Sequence, residues 1–366
     1  MFLTLLKREK TFLVIYYLFQ LVYSTLIAVL FYCIFAETFA LITAEDIFTI
    51  SSKKEFEKIT LKAFRHQYDN NIVYRDFCGF LNKDKQNVKT VKQIPFLPIQ
   101  FFKSHDVVSS PDPVQITFTS SGTTGMTTSR HIVTDVSYYK QSFRLAFSRF
   151  YGNIEDYAVL ALLPSYLERE GSSLIYMVED LIQGSSNPHS GFYLHNYDDL
   201  ITKLVSLDAS GQNVLLIGVT YALLDLIEKG NFNLKNTIIM ETGGMKGRRR
   251  EMIREELHEV LCSGFGVSKI HSEYGMTELL SQAYSLGDGI FECPPWMDIY
   301  IRDTEDPLTY LNHGKTGGIN VIDLANINSC SFIATQDLGR KYPNQSFEVL
   351  GRFDNSDIRG CNLMVV

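Results

Sequence analysis

The chain of 366 residues is long enough for one large domain or two modest ones, and its 45% hydrophobic content can fill a sizeable core, which speaks against a disordered chain. With 34 basic against 41 acidic residues the net charge is −7, so no global positive field exists to hold a nucleic-acid backbone, and no nucleic-acid partner is expected. Six scattered cysteines (Cys33, Cys78, Cys262, Cys293, Cys330, Cys361), with no CxxC pair and no histidine cluster at ligand spacing, speak against a disulfide framework and a structural zinc site.

From Thr11 to Ala36 the chain runs 26 residues without a charge, behind Lys7, Arg8 and Lys10 and ahead of Glu37. This stretch can span a bilayer and exceeds the apolar core of a cleavable signal, so it reads as an uncleaved anchor with its cationic flank in the cytoplasm. That orientation carries the remaining chain out of the cytoplasm, whereas the motifs further along the chain point to chemistry inside the cell. Three resolutions stand: an over-extended start codon, an anchor inserted against the charge rule, or a wrong catalytic reading. The first is preferred, because sequence of ordinary soluble character begins near Thr43 to Ile47. A buried core helix is the plainer alternative, but large apolar side chains on every face argue against it. The expectation is a hydrophobic leader over residues 1–45 and one domain over 46–366, with a β-rich terminal subdomain over 315–366. The expected location is cytoplasmic, with residues 11–36 the candidate inner-membrane anchor.

Ser51 to Tyr68 carries Phe56, Ile59, Ala63 and Phe64 at helical spacing and predicts an amphipathic helix. Ile94 to Phe102 holds Pro95 and Pro98, which exclude a helix interior and predict an extended packed segment. Further on, short apolar runs alternate with helix-length stretches. Tyr157 to Leu163, Asn213 to Val219 and Thr237 to Met240 read as buried strands; Ser173 to Ile182, Tyr221 to Lys229 and Lys246 to Leu261 read as helices. Such alternation predicts an α/β fold with a mostly parallel sheet flanked by helices, which binds ligands beyond the carboxyl ends of its strands. After Ile319 the runs Ile319 to Leu324, Ser331 to Thr335 and Ser346 to Leu350 are separated by turns alone, hence the β-rich ending.

Five motifs punctuate this pattern. Thr119 to Gly125 (TSSGTTG) follows the alternation Val114 to Phe118; small hydroxyl residues and glycines let backbone amides converge on an anion, although a polar surface turn explains the stretch as well. Glu241 to Met245 (ETGGM) follows the strand ending at Met240, and its glycines would admit a flat ring, or else form an ordinary strand-to-helix turn. His271 to Glu278 (HSEYGMTE) follows the apolar run Val267 to Ile270 and offers Glu278 as a carboxylate for magnesium beside a triphosphate; a helix start is the alternative. Thr335 to Arg340 and Leu350 to Asn355 offer Asp337 and Arg352 to a ribose or phosphate, against β-turns. The basic run Lys246, Arg248, Arg249, Arg250 precedes Glu251, Glu255 and Glu256 and reads as a solvated helix face.

Taken in order, these motifs resemble those of the adenylate-forming ligase superfamily, and within it the chain most resembles the acyl-protein synthetase branch, the LuxE family. Ile94 to His105, Leu163 to Met177, Pro294 to Met297 and Arg359 to Val365 support the branch, and the resemblance spans Ile47 to Val366. It implies that Ser120, Ser121, Gly122, Thr123, Thr124 and Gly125 hold phosphates and that Gly243, Gly244 and Met245 border adenine. Tyr274 and Gly275 would stack near the base, Thr277 would touch the α-phosphate and Glu278 would bind Mg²⁺. Asp337 and Arg352 would fix the ribose, and Tyr166 would lie near the acyl group. The superfamily's loop continues with Pro-Lys; here Met126 to Ser129 intervene before Arg130, which is expected to supply the cation. The chain ends 15 residues after Gly351, so the larger ligases' C-terminal domain and its lysine are not expected.

The branch uses a cysteine near the C-terminus as acyl acceptor, and Cys361, beside Arg359 and Gly360, is the matching residue. A free thiol has a pKa of about 8.5, which a neighbouring cation lowers; a small buried hydrophobe is the plainer reading. The expected reaction activates a carboxylic acid, fatty or similarly apolar, with ATP and Mg²⁺, and passes the acyl group to Cys361 and then to an accepting protein such as a reductase or carrier. Two alternatives stand beside it: another acceptor such as coenzyme A or an amine, and a catalytically silent, membrane-anchored nucleotide-binding module.

Overall fold

The computed structural model describes residues 42–120, 128–163, 171–194, 196–243 and 252–353, and the elements below belong to the compact unit Ala44–Val366. The leader, including residues 11–36, lies outside the described residues; among those described, no helix is long and apolar enough to cross a membrane.

Phe56, Ile59, Thr60, Ala63, Phe64 and Gln67 recur at steps of three and four, and this stripe is the buried face of the helix Lys53–Asn70. Ser52 starts it: its hydroxyl accepts from Glu55 N, while Glu55 Oε2 accepts from Ser52 N at 3.1 Å. Asn71 ends this helix and caps the next, Ile72–Phe80, accepting from Tyr74 N at 2.9 Å. Phe64, Tyr74, Phe96 and Phe332 pack ring against ring, fixing this helical layer to the sheet; each fully buried ring contributes about 1.5–3 kcal/mol of apolar burial. The proline-bearing segment is extended over β1 (Leu97–Pro98) and then turns into the short helix Phe101–Ser104.

β2 (Ile116–Thr119) and β3 (Arg130–Val133) form a separate antiparallel pair with Phe118 opposite His131. The long helix Ser137–Tyr151 follows. Next come β4 (Tyr157–Leu162), β5 (Gly191–Phe192), β6 (Asn213–Val219), β7 (Thr237–Thr242) and β8 (His271–Tyr274), adjacent in the order β5-β4-β6-β7-β8 and parallel throughout. Helices Ser173–Ser185, Tyr197–Ala209, Thr220–Lys229 and Arg254–Phe265 make the connections, as parallel pairing requires. β4 and β6 are buried almost from end to end, which explains their unbroken apolar runs.

β9 (Ala283–Ser285), β10 (Ile290–Glu292), β11 (Met297–Arg302), β12 (Thr316–Asp323), β13 (Phe332–Lys341) and β14 (Phe347–Arg352) continue the same sheet antiparallel, in the order β8-β9-β10-β14-β13-β12-β11, and β1 joins β13 to make twelve strands. The β-rich ending is thus hydrogen-bonded into the large sheet.

Local differences from the sequence reading have physical causes. Of the helix expected over Lys246 to Leu261, the described residues show Arg254–Phe265, with Met252 and Ile253 outside it, while the basic run Lys246 to Arg250 lies outside the described residues. The apolar run Val267 to Ile270 leads into the strand His271–Tyr274, whose pairing partners are Met240 to Thr242. Thr335 to Arg340 is no turn but the middle of β13, where Thr335, Asp337, Gly339 and Lys341 face inward on alternate positions.

Candidate active site

The carboxyl ends of the parallel strands are in register: Leu162 lies opposite Gly218, Val219 opposite Thr242, and Thr242 opposite Glu273. Beyond this edge lie Gly243, Gly275, Thr277 and Glu278, and from the antiparallel half β13 and β14 bring Asp337 and Arg352 into direct register. Three of the sequence-expected residues meet there. Tyr274 Oη donates to Asp337 Oδ2 at 2.8 Å and Arg352 Nε donates to Asp337 Oδ1 at 3.1 Å. Asp337 is buried, whereas the Arg352 side chain is 79% exposed, so the cation is free to reorient while the carboxylate is not. The Tyr274 ring is itself buried, edge-on to Phe291 and Phe347.

Asp337 is held from behind as well. Its N–H donates to Thr335 Oγ1 at 3.1 Å, and Thr335 Oγ1 donates to Ile319 O at 2.9 Å. The guanidinium of Arg302 donates to Ile319 O, Asn320 Oδ1 and Thr335 O, tying β12 to β13 beside the aspartate. Gly318 makes room for it: a Cβ there would stand 2.6 Å from Arg302 Cζ.

Glu278 is 5% exposed, and burial pushes its carboxyl above the ordinary range, against a hydrogen bond from Ser129 and the cations Arg352 and Lys103. A desolvated carboxylate with so little countercharge is a fitting ligand for a divalent cation that also binds phosphate. Its backbone is clamped: Glu278 O accepts from Asn326 Nδ2 at 2.7 Å, and the amides two and three residues on, Leu280 N and Ser281 N, donate to Asp323 Oδ2 at 2.9 Å. The clamp is anchored to the first long helix, since Gln67 Nε2 donates to Asn326 O and Ile327 O.

The β2–β3 pair brings the flanks of the glycine-rich loop to the same place. Ser120 N donates to Ser129 O at 3.1 Å and Ser129 N donates to Ser120 Oγ at 2.9 Å, closing the hairpin one step past its ladder. Ser120 thus has a defined structural partner, while Ser121, Gly122, Thr123, Thr124 and Gly125 lie outside the described residues. Arg130 is paired with Asp106 at 2.7 Å, both side chains more than half exposed, so its charge is answered away from Glu278.

On the adenine side, Gly243 has φ 69°, a conformation suited to glycine, and its carbonyl accepts from Thr220 Oγ1 at 2.8 Å. Beneath it Glu241 is buried; burial raises its carboxyl, but His258, Arg254 and Ser272 outweigh that and hold it below the ordinary range. Thr242 Oγ1 donates to Glu273 Oε2 at 2.5 Å. Burial pushes the Glu273 carboxyl up to about 7, the Thr242 hydroxyl opposing and the Glu241 charge adding. A Cβ on Gly275 would run into the Glu273 carboxylate, which explains the glycine after Tyr274. Gly244, Met245, Tyr166 and Cys361 lie outside the described residues.

Sequence reasoning missed Ser129, His131, Lys103, Asp323 and Asn326. His131 Nδ1 lies 2.9 Å from Thr277 O and its Nε2 lies 2.8 Å from Ser329 Oγ, joining the hairpin to the turn that bears Thr277 and Glu278. Lys103 follows Phe102, whose ring meets the His131 ring edge-on at 5.5 Å.

The model of a protein family described as acyl-protein synthetase, LuxE, matches residues 34–149 and 190–366. A long-chain-fatty-acid–luciferin-component ligase of Vibrio harveyi is 23% identical over 342 residues, covering 85% of this chain and 87% of that protein. A protein of the same name from Photorhabdus luminescens is 35% identical over 71 residues, 19% of this chain and 60% of that one. Among solved structures, 2-hydroxyisobutyryl-CoA ligase in the postadenylation state, in complex with R3-HIB-AMP, has a TM-score of 0.62 at 11% identity, over 85% of this chain and 70% of that one. ATP-bound MatB from Rhodopseudomonas palustris has a TM-score of 0.50 at 18% identity; the match takes in 66% of this chain and only 49% of that one. At these identities the likeness is one of fold alone.

Proposed function

Since the chain belongs to the LuxE family of acyl-protein synthetases, we propose that it activates a long-chain fatty acid with ATP and hands the acyl group to a thiol. The observation that carries this is the meeting of Glu278, Thr277, Asp337 and Arg352 beyond the carboxyl ends of the parallel strands, against the hairpin that flanks the glycine-rich loop. The acid class comes from the names of the relatives, and ATP from the titles of structures sharing the fold.

A carboxylate is a poor acyl donor because oxide is a bad leaving group. Its oxygen attacks the α-phosphorus of ATP, the bond to the β-phosphate oxygen breaks, and acyl-adenylate and pyrophosphate result. A thiolate, assigned to Cys361, then attacks the acyl carbon and AMP leaves, giving a thioester. Loop amides at 120–125, Arg352 and Lys103 balance charge on the phosphates, and Asp337, oriented by Tyr274, receives the ribose. Glu278 would hold Mg²⁺, which when bound neutralises charge developing on the phosphate oxygens. Gly243 to Met245 and Gly275 border the base, and Tyr166 the acyl chain.

The test is pyrophosphate exchange and AMP release with ATP, Mg²⁺ and fatty acids of graded length, followed by intact mass. Exchange with long acids and a Cys361-dependent acyl adduct are expected. An adduct that survives Cys361→Ser would move the acceptor elsewhere, and absence of exchange with every acid would overturn the assignment.

A further inference from the structure

We propose that His131 is a positioning residue which fixes the Thr277 peptide, and through it Thr277 and Glu278, against the strand flanking the phosphate loop. This deepens the adenylate-forming reading and rests on it.

The chemistry of the two partners dictates the state of the ring. Thr277 O can only accept, so Nδ1 must carry the proton. His131 is fully buried, and burial lowers its pKa to about 4, so the ring is neutral near pH 7 and Nε2 is a bare acceptor for the Ser329 hydroxyl. Ser329 is immobilised in turn: its carbonyl accepts from Asn71 Nδ2 at 2.9 Å and from Ser109 Oγ. The ring therefore sits between a fixed hydroxyl and a carbonyl whose peptide it orients.

The geometry also says what is being held. Among the described residues the β2–β3 pair shares no ladder with the twelve-stranded sheet, so other contacts must set its place. Ser129 and His131 are two residues apart on extended chain and reach the same turn, Ser129 at the Glu278 carboxylate and His131 at the Thr277 carbonyl. A peptide is planar, so turning the Thr277 carbonyl also turns the Glu278 amide and re-aims both side chains. Phe102, edge-on to the ring, blocks its rotation.

The test uses the full chain with His131→Asn, His131→Gln and Ser329→Ala, measured by pyrophosphate exchange and thermal melting. Asn keeps a donor where Nδ1 stands and Gln keeps only the polar group toward Ser329. His131→Gln should lower kcat about tenfold to a hundredfold with a smaller change in the KM for ATP, and His131→Asn should recover most of it. Ser329→Ala, which frees the ring, should fall between them. Equal kcat for Asn and Gln, or losses that follow melting temperature alone, would overturn the proposal. A ¹⁵N-histidine spectrum of the wild type gives a readout free of turnover: an Nδ1–H neutral ring is expected between about pH 6 and pH 8, and the other tautomer or an imidazolium would refute it even if no acid is activated.

Discussion

Asp337 and Arg352 stand opposite one another on β13 and β14 with 3.1 Å between Oδ1 and Nε, yet one is buried and the other points into solvent. The pair is therefore a fixed acceptor with a movable cation, and the first consequence is asymmetric. Asp337→Asn should raise the KM for ATP on the order of tenfold to a hundredfold, as expected for losing a charged hydrogen-bonding partner, whereas Arg352→Lys should cost several-fold less. Steady-state exchange kinetics at saturating acid separate the two; equal effects would contradict the asymmetry.

Glu278 carries its charge at a desolvation cost in the folded protein. Glu278→Gln should leave the melting temperature unchanged or slightly higher while exchange falls on the order of a hundredfold and its dependence on Mg²⁺ weakens. Melting and a magnesium titration on the same preparation check this, and a destabilised but active variant would show the residue to be structural.

Two cations compete for the role the sequence offered to Arg130. Arg130 is exposed and paired with Asp106, while Lys103 bears on Glu278. Lys103→Ala should lower kcat/KM for ATP by about tenfold, the scale of one charged contact, and Arg130→Ala should change it by less than about twofold, the scale of an exposed ion pair. The reverse order would return the assignment to Arg130.

Glu273 sets a pH dependence of stability with a definite sign. Its folded pKa, about 7, lies above the ordinary value of 4.5, so between these the folded protein keeps a proton that the unfolded chain has lost. Its contribution is present in full below about pH 4.5 and is lost as pH rises through about 7. Glu273→Gln should therefore melt progressively higher than wild type as pH goes from about 5 to about 8. A constant difference across that range would rule this out.

Gly318 and Arg302 should be energetically coupled. Gly318→Ala drives a methyl group into the guanidinium and should destabilise by about 1–3 kcal/mol. In an Arg302→Ala background the same change should cost markedly less. Urea denaturation of the four proteins of the cycle measures the coupling, and additive costs would mean the arginine moves aside freely.

Residues with a distinctive chemistry were legible in the sequence. Gly243, Gly275, Glu278, Asp337 and Arg352 each announce a need for space or charge, and the continuous apolar runs of β4 and β6 could only be buried strands. Their supports were not legible. His131 meets Thr277 across 146 positions and Ser329 across 198, and Gln67 reaches Asn326 across 259; no periodicity connects such partners. Asp323 and Asn326 read as ordinary polar residues near a strand end, and only folding reveals that they grip the amides after Glu278. The helix start expected at Lys246 falls outside the described residues; where the helix is described it opens at Arg254, bonded to Glu241 and Ser272 in its first turn, contacts that a charge pattern alone does not reveal.

The independence of the β2–β3 hairpin carries a last implication. On the proposed reading, a loop carried between the strands of its own small ribbon could be retuned without touching the large sheet that bears Asp337 and Arg352. Changes at Ser129, His131 or Phe102 would tilt that ribbon like a hinged jaw, offering a route to altered turnover in which the great sheet never changes its pairing.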